Sequence, residues 1–458
     1  MNENKRQDLL ARMRGVQKNV EQGRSVRSEQ LQQQVTRQQP GFADLPEYKQ
    51  VKLQEMASQQ LGMANPFYRG HEGTSGPTAL IGNRSYDNFA SYDYLGLNGD
   101  GRVQRAAANA IARYGISASA SRVVAGERTI HGELETAIAA IYGVEDAVCF
   151  VSGYLTNVTA IGCLMGPKDL VIHDEFIHNS ALTGIKLSGA NRRFYKHNDM
   201  ADLERILSTI APQHERVLVI SEGIFSMDGD FADLPGLLAL KQRFGFWLMM
   251  DEAHSLGVLG PTGRGTFEHF GLDARDVDIW MGTLSKTTCS CGGYIAGSEA
   301  LITLLKAQAG GFVYSVGLAP ALAASALESL KILQEEPGRV QRLRDNSRIF
   351  LERARQKGLD TGLSEGFSVV PVIVADSLRA VALSNQLFEE GINALPIIYP
   401  AVPEGLARLR FFITSAHSEE QINRAVDLTA QHLGELTARN FGIGSMDVQK
   451  LLASMAGG

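Results

Sequence analysis

Residues 246–257 read FWLMMDEAHSLG and residues 282–297 read GTLSKTTCSCGGYIAG, and these two segments decide how the chain folds. In the first, Phe246 to Met250 is an unbroken apolar run of strand length, followed by Asp251 and, three residues on, by His254. In the second, a short run from Asp278 to Met281 gives way to Gly282, Thr283 and Lys286. Continuous apolar strands are those buried on both faces, as in a parallel sheet covered by helices. In such open sheets, ligands bind beyond the carboxyl ends of the strands. Two neighbouring strands therefore deliver an acid, an imidazole, a hydroxyl and an amine to one crevice.

Asp251 to His254 also spells D-E-A-H, the magnesium-binding box of a helicase class. Such a motor needs a G-x-x-x-x-G-K-[ST] loop to cradle phosphates, and the sequence contains no Gly-Lys dipeptide. With 44 Lys+Arg against 50 Asp+Glu the net charge is −6, a poor match to a phosphate-tracking surface. A nucleic-acid motor is excluded. The set suits pyridoxal phosphate better, with Lys286 as the amine that holds the cofactor and an acid that pairs with its pyridinium nitrogen.

A chain of 458 residues with 44% hydrophobic and 21% charged residues has the make-up of a globular protein of more than one domain. The amino terminus, MNENKRQDLLARMRG, has no apolar segment of the kind a secretory signal needs. Two charge-free runs, Ala147 to Pro167 and Ala307 to Leu327, are interrupted by glycine or proline and read as loops joined to buried elements, not membrane spans. Cys149, Cys163, Cys289 and Cys291 show neither a disulfide framework nor paired metal-ligand spacing. A cytoplasmic protein with no metal is expected.

Residues 1–60 are rich in Gln, Arg, Lys and Glu, with Leu9, Met13, Val16 and Val20 at helical spacing, and read as a helical or flexible arm. Residues 61–102 hold a small hairpin about Asn83. Residues 103–336 alternate helices with strands: helices at Val103–Tyr114, Thr129–Tyr142, Leu155–Met165 and Asn179–Leu187; strands at Ala147–Val151, Asp169–His173, Val217–Ser221, Phe246–Met250, Asp278–Met281 and Tyr294–Ala296. That alternation predicts a large α/β domain whose mostly parallel sheet carries helices on both faces. Residues 337–458 read as a smaller α+β domain, with strands at 369–374 and 408–413.

Further candidates fall just beyond the strands. SGYLTN (Ser152 to Asn157) opens a helix, where backbone amides suit a phosphate. His178 lies in HDEFIHNS, and Glu222 and Ser226 lie in SEGIFSMDGD. Taken in order, SGYLTN, the IHNS histidine, EGIFSMDGD, DEAHSLGVLGPTGRG and GTLSK resemble the motifs of the α-oxoamine synthases, fold-type I pyridoxal phosphate enzymes, over roughly residues 85–435. Details such as SKTTCSCGGY look closest to members from polyketide or lipid pathways.

The resemblance implies a role for each matching position. Lys286 holds the cofactor and later moves the α-proton, His178 stacks on the cofactor ring, Asp251 pairs with its pyridinium nitrogen and His254 contacts its phenolic oxygen. Gly153, Tyr154 and Thr283 help seat the cofactor, Ser226 lies beside the ring, and Glu222 is an acid near the reacting centre. Arg410 clamps the amino-acid carboxylate. Ser315 reaches the phosphate of a partner subunit, so a homodimer is implied. The implied reaction joins a small amino acid to an acyl thioester, from coenzyme A or an acyl carrier protein, with loss of carbon dioxide. An aminotransferase or amino-acid lyase is the rival on the same site, and a non-catalytic partner subunit a remoter one. The sequence departs from the family pattern at three places. Tyr92 replaces an asparagine, Val316 and Gly317 replace polar residues, and Ala401 replaces a threonine.

Overall fold

The computed structural model describes residues 39–443, and the chain divides into two compact units, Met1–Gly62 and Met63–Gly458. The described part of the first is a short 3₁₀ turn, Phe42–Asp44, followed by helix α1 (Pro46–Gln60). The spaced apolar residues Leu9, Met13, Val16 and Val20 lie outside the described residues.

The second unit is built on a seven-stranded sheet in the order β4-β10-β9-β8-β7-β5-β6. It comprises β4 (Asp146–Phe150), β5 (Leu170–Asp174), β6 (Asn191–Tyr195), β7 (Val217–Glu222), β8 (Trp247–Asp251), β9 (Ile279–Thr283) and β10 (Gly293–Gly297). Strand β10 pairs antiparallel with both β4 and β9, while the remaining pairs are parallel. Alternate residues enter opposite cores, as a period of two requires. Thus Leu248, Met250 and Trp280 join one cluster, and Met249, Ile279 and Met281 the other. The first core is closed by helices α2 (Gly101–Tyr114), α3 (Thr129–Tyr142) and others, and the second by α4 (Gly153–Leu164) and α5 (Asn179–Ser188). The sheet is therefore mostly parallel with helices on both faces.

The sequence reading places these elements within a residue or two of their observed ends. Helix α3 spans the expected Thr129–Tyr142 and stops at Gly143, whose φ of 64° favours glycine. Strand β6 was not legible because it is an edge strand with four of its five residues exposed, so NRRFY carries no apolar run. Among the helices also missed are α6 (Met200–Thr209) and α7 (Leu234–Phe244). Each carries an aspartate N-cap, Asp199 and Asp233, that could have revealed it.

Two smaller sheets flank this layer. The strands β1 (His71–Glu72), β2 (Thr78–Ile81) and β3 (Arg84–Asn88) form a hairpin ribbon turned at Gly82 and Asn83. Strand β3 also pairs in parallel with β12 (Ile392–Asn393), so the early hairpin is joined to the carboxyl-terminal region. The third sheet is β11 (Val369–Ala375), β14 (Ala407–Phe412) and β13 (Leu395–Ile397), in that order. Phe89, Phe350 and Phe411 anchor its core. Among the described residues no helix is long and apolar enough to cross a membrane.

Helices α4 and α5 meet at Gly184, where a Cβ would sit 2.8 Å from the Asn157 carbonyl and 3.1 Å from Val158 Cα. These are the helices whose first turns carry Gly153 and follow His178. Gly184→Val should push them apart and cost at least about 1–3 kcal/mol, the usual penalty of overpacking. Equilibrium urea unfolding of the holoprotein measures it, and unchanged stability would contradict this close contact.

Candidate active site

The strand register decides which side chains meet. Strands β5, β7, β8 and β9 run parallel, and their carboxyl ends are Asp174, Glu222, Asp251 and Thr283. A crevice of about 270 Å³ opens there, lined by Gly153, Tyr154, His178, Glu222, Ser226, Asp251, His254, Thr283 and Lys286. Nine of the residues singled out from the sequence thus come together. Arg410 reaches the same region from β14. Ser315 is half-buried in the stretch after Val313 and does not line this crevice.

Asp251 is buried, and both of its oxygens are held. The Ala253 amide donates to Oδ1 at 3.0 Å, and Asn157 Nδ2 donates to Oδ2 at 2.9 Å. Asn157 also donates to Ser180 Oγ at 2.9 Å. It stands one helical turn beyond Gly153 on the same face of α4, a spacing from which its role could have been read.

Glu222 lies opposite Asp251 in the β7–β8 register. Two adjacent buried carboxyls cannot both ionise cheaply. Burial first, and then the Asp251 charge, push the Glu222 carboxyl well above the usual carboxylate range. Its Oε1 accepts the His178 backbone N–H at 2.6 Å. Lys286 feels both acids, but burial prevails and lowers its ammonium to about 8. The amine is thus nearer to a usable base than a surface lysine is.

The two histidines are held differently. His254 is buried, and its Nδ1 is 2.6 Å from the Tyr94 hydroxyl. Burial and then the Lys286 charge keep its pKa well below the ordinary value, so the ring is neutral. With the phenol donating to Nδ1, the remaining proton sits on Nε2. Tyr94 lies two residues beyond Tyr92 and was not singled out in the sequence. His178 caps α5: its Nδ1 accepts from the Ser180 amide and is paired with Ser180 Oγ at 2.7 Å. Its exposed ring stands as a wall of the crevice, met edge-on by Tyr154 at 6.5 Å.

At the other end, the first turn of α4 comes against Thr283. A Cβ on Gly153 would lie 2.7 Å from Thr283 Oγ1, so only glycine admits this approach. The Thr283 hydroxyl donates to the Gly292 carbonyl at 3.0 Å.

The guanidinium of Arg410 donates to the Ser226 carbonyl at 2.8 Å and lies 4.6 Å over the Phe412 ring. Its buried Nε has no partner. Burial lowers its pKa below the usual arginine value. Tyr92 meets Phe412 edge-to-face at 4.6 Å, and Lys286 Nζ stands 5.8 Å from the Tyr92 ring. The departure at Tyr92 thus falls inside the site. Ala401 is exposed in the loop before β14 and does not line the crevice. Gly317 has a packing reason, since a Cβ there would press on Ala118 and Arg122, both at 3.1 Å.

These groups fit pyridoxal phosphate. The crevice offers a buried carboxylate for a pyridine nitrogen, an imidazole wall for a flat ring and an amine for an aldehyde. A helix start, uncovered by the glycine at Gly153, suits the phosphate.

Comparison with known proteins agrees. The family model described as "Aminotransferase class I and II" matches residues 86–428. The 8-amino-7-oxononanoate synthase of Symbiobacterium thermophilum is 44% identical over 350 residues, covering 76% of this chain and 89% of the relative. The enzyme of the same name from Fervidobacterium nodosum is 42% identical over 359 residues, covering 78% and 90%. Among solved structures, Sphingomonas wittichii serine palmitoyltransferase superposes with a TM-score of 0.82 at 29% identity, over 87% of this chain and 99% of that one. The 8-amino-7-oxononanoate synthase of Francisella tularensis gives 0.66 at 27% identity, over 76% and 98%. With its motifs, its sheet and its crevice in agreement with these relatives, the chain belongs to the class I and II aminotransferase family and, within it, to the α-oxoamine synthases, fold-type I pyridoxal phosphate enzymes that act as acyltransferases.

Proposed function

We propose that the enzyme joins a small L-amino acid, alanine ahead of glycine and serine, to an acyl thioester, with loss of carbon dioxide, to give a 2-amino ketone. The observation that carries this reading is Arg410. Its guanidinium lies near enough to Lys286 and Tyr92 to interact with both, and its buried Nε has no partner, so a substrate carboxylate there would complete its hydrogen bonds. A guanidinium fork matches a carboxylate in a way an ammonium does not. The acyl donor is a pantetheine thioester, carried either by coenzyme A or by an acyl carrier protein.

When bound, pyridoxal phosphate supplies an electron sink for negative charge at the amino-acid α-carbon. Asp251, held by Asn157 and Ala253, would keep a proton at the pyridine nitrogen. The His178 ring would cover the flat cofactor, and His254, with its proton on Nε2, would donate to the phenolic oxygen. Lys286, with its lowered pKa, takes the α-proton. Glu222, kept neutral by burial, offers a proton beside Asp251 without adding a second negative charge. Gly153, Tyr154, Ser226 and Thr283 seat the cofactor. Tyr92 narrows the amino-acid side of the crevice and favours a methyl-sized side chain. The active form is a homodimer in which Ser315 of one subunit reaches the phosphate in the other. The absence of Ser315 from its own chain's crevice supports that reading.

Lys286→Ala should still bind pyridoxal phosphate but not turn over. Borohydride treatment of the wild-type holoenzyme should fix the cofactor on the peptide containing Lys286. A label on another lysine would overturn the assignment.

Asp251→Asn keeps size and removes charge, so exchange of the α-proton should fall by orders of magnitude, as read by deuterium uptake into the amino acid. Near-normal exchange would mean that Asp251 is not the pyridine partner.

Arg410→Ala should raise the amino-acid KM about 10–100-fold, as loss of hydrogen bonds to a charged group implies. Product mass spectrometry over a matrix of amino acids, with and without acyl thioesters, tests the reaction itself. A 2-amino ketone from alanine supports it. Products without thioester would favour the aminotransferase or lyase, and equal turnover of a large aromatic amino acid would refute the small pocket.

A further inference from the structure

His197 lies outside the crevice, and none of the roles above uses it. It follows β6, with its side chain almost buried between two carboxylates from different strand ends. Nδ1 is 2.9 Å from Asp174 Oδ1, and Nε2 is 2.6 Å from Asp230 Oδ2. Phe176 stacks on the ring at 4.4 Å, and Phe225 meets it edge-on at 4.5 Å. Both nitrogens face carboxylate oxygens, which only accept, so both must donate and the ring is an imidazolium. Burial alone would lower the pKa, but the bonds and charges of Asp174 and Asp230 raise it to about 10.

Each carboxylate belongs to a turn that builds the active site. Asp174 ends β5 and organises the turn leading to His178: its Oδ1 accepts the Phe176 amide at 2.9 Å, and its carbonyl the Ile177 amide at 3.2 Å. Asp230 closes the loop after β7, its carbonyl accepting the Phe225 amide at 2.9 Å. That loop turns its Ser226 and Met227 carbonyls to Arg410 and Arg408, at 2.8 and 3.1 Å, and Asp228 pairs with Arg408 at 2.6 Å. The strand β14 that supplies both arginines is thereby docked on the same loop.

We infer that His197 is a positioning residue, whose two bonds staple the turn carrying His178 to the loop that seats Arg410. It fixes the spacing between the wall of the cofactor site and the guanidinium that reads the substrate. A neutral imidazole can donate to only one of the two carboxylates, and without any donor the two acids repel. The inference rests on the roles proposed for His178 and Arg410.

The test uses the dimeric holoenzyme and readouts that need no acyl donor: cofactor affinity by absorbance titration, and L-alanine affinity by the change it causes in the cofactor band. His197→Leu should weaken both at least about tenfold, since small misplacements in an active site cost up to about 100-fold. Asp230→Asn, which keeps an oxygen for Nε2, should stay within threefold. Should His197→Leu fail to fold, His197→Gln combined with Asp230→Asn removes the charge imbalance and should still weaken both affinities more than threefold. A folded His197 variant with both affinities within twofold of wild type, even with a lower melting temperature, overturns the inference. If wild type binds no amino acid, the proposed function fails, and cofactor affinity alone decides the role of His197.

Discussion

A buried aspartate at the end of a parallel strand is the constraint to which the rest of the site answers. Asp251 forms no ion pair with a described residue and is stabilised by two hydrogen bonds. A negative charge in that position raises the cost of a second negative charge nearby. Its neighbours are arranged accordingly. Glu222, opposite in the register, is pushed toward its neutral form. His254, three residues on, is held neutral for a different reason, by its own burial and then by the Lys286 charge. Lys286 remains the titratable amine of the group, and burial brings it to about 8. A pyridinium nitrogen is the counter-charge that such a carboxylate suits, which is how the electrostatics and the proposed cofactor roles support each other.

Much of this was legible because the chemistry sits at, or within four residues of, the carboxyl ends of buried strands. Phe246 to Met250 announces its own burial, and a strand buried on both faces must end at a sheet edge where its next residues meet those of its neighbours. What the sequence hid was contact between segments distant in the chain. Asn157 could be suspected from its helical spacing to Gly153, but its bond to Asp251 spans 94 positions. The Tyr94–His254 pair spans 160. Strand β6 was hidden for another reason, since an exposed edge needs no apolar residues and NRRFY offers few. The pairing of β3 with β12 was equally silent, because two residues of parallel ladder leave no pattern.

The arginine proposed to hold the amino acid comes from a separate element. Arg410 belongs to the third sheet, and it is brought over the crevice by the loop after β7 rather than by the seven-stranded sheet itself. That loop is tightly built: a Cβ on Gly229, at φ 74°, would fall 2.1 Å from the Val369 carbonyl. Seating of the arginine therefore depends on packing between β11 and the loop as much as on any bond to its guanidinium. This arrangement separates the two roles proposed above, with the groups assigned to the cofactor on the large sheet and the arginine assigned to the substrate carboxylate on the small one.

The long motif DEAHSLGVLGPTGRG divides in the same way, and its division explains why a D-E-A-H spelling misleads here. Asp251 and His254 face the crevice. Glu252 is fully buried and accepts the Thr266 amide at 3.1 Å. Burial raises its carboxyl to about 7. A Cβ on Gly265 would fall 2.3 Å from Glu252 Oε2, and one on Gly223 2.4 Å from Thr266 Oγ1. The turn between is closed by the Gly257 amide on the Gly263 carbonyl at 2.6 Å. In a magnesium-binding box, the second acid would have to stand beside the first at the ion. Here it is committed to the core, folding the Leu256–Gly265 loop back beneath the strand end, so that Asp251 alone is presented to the ligand.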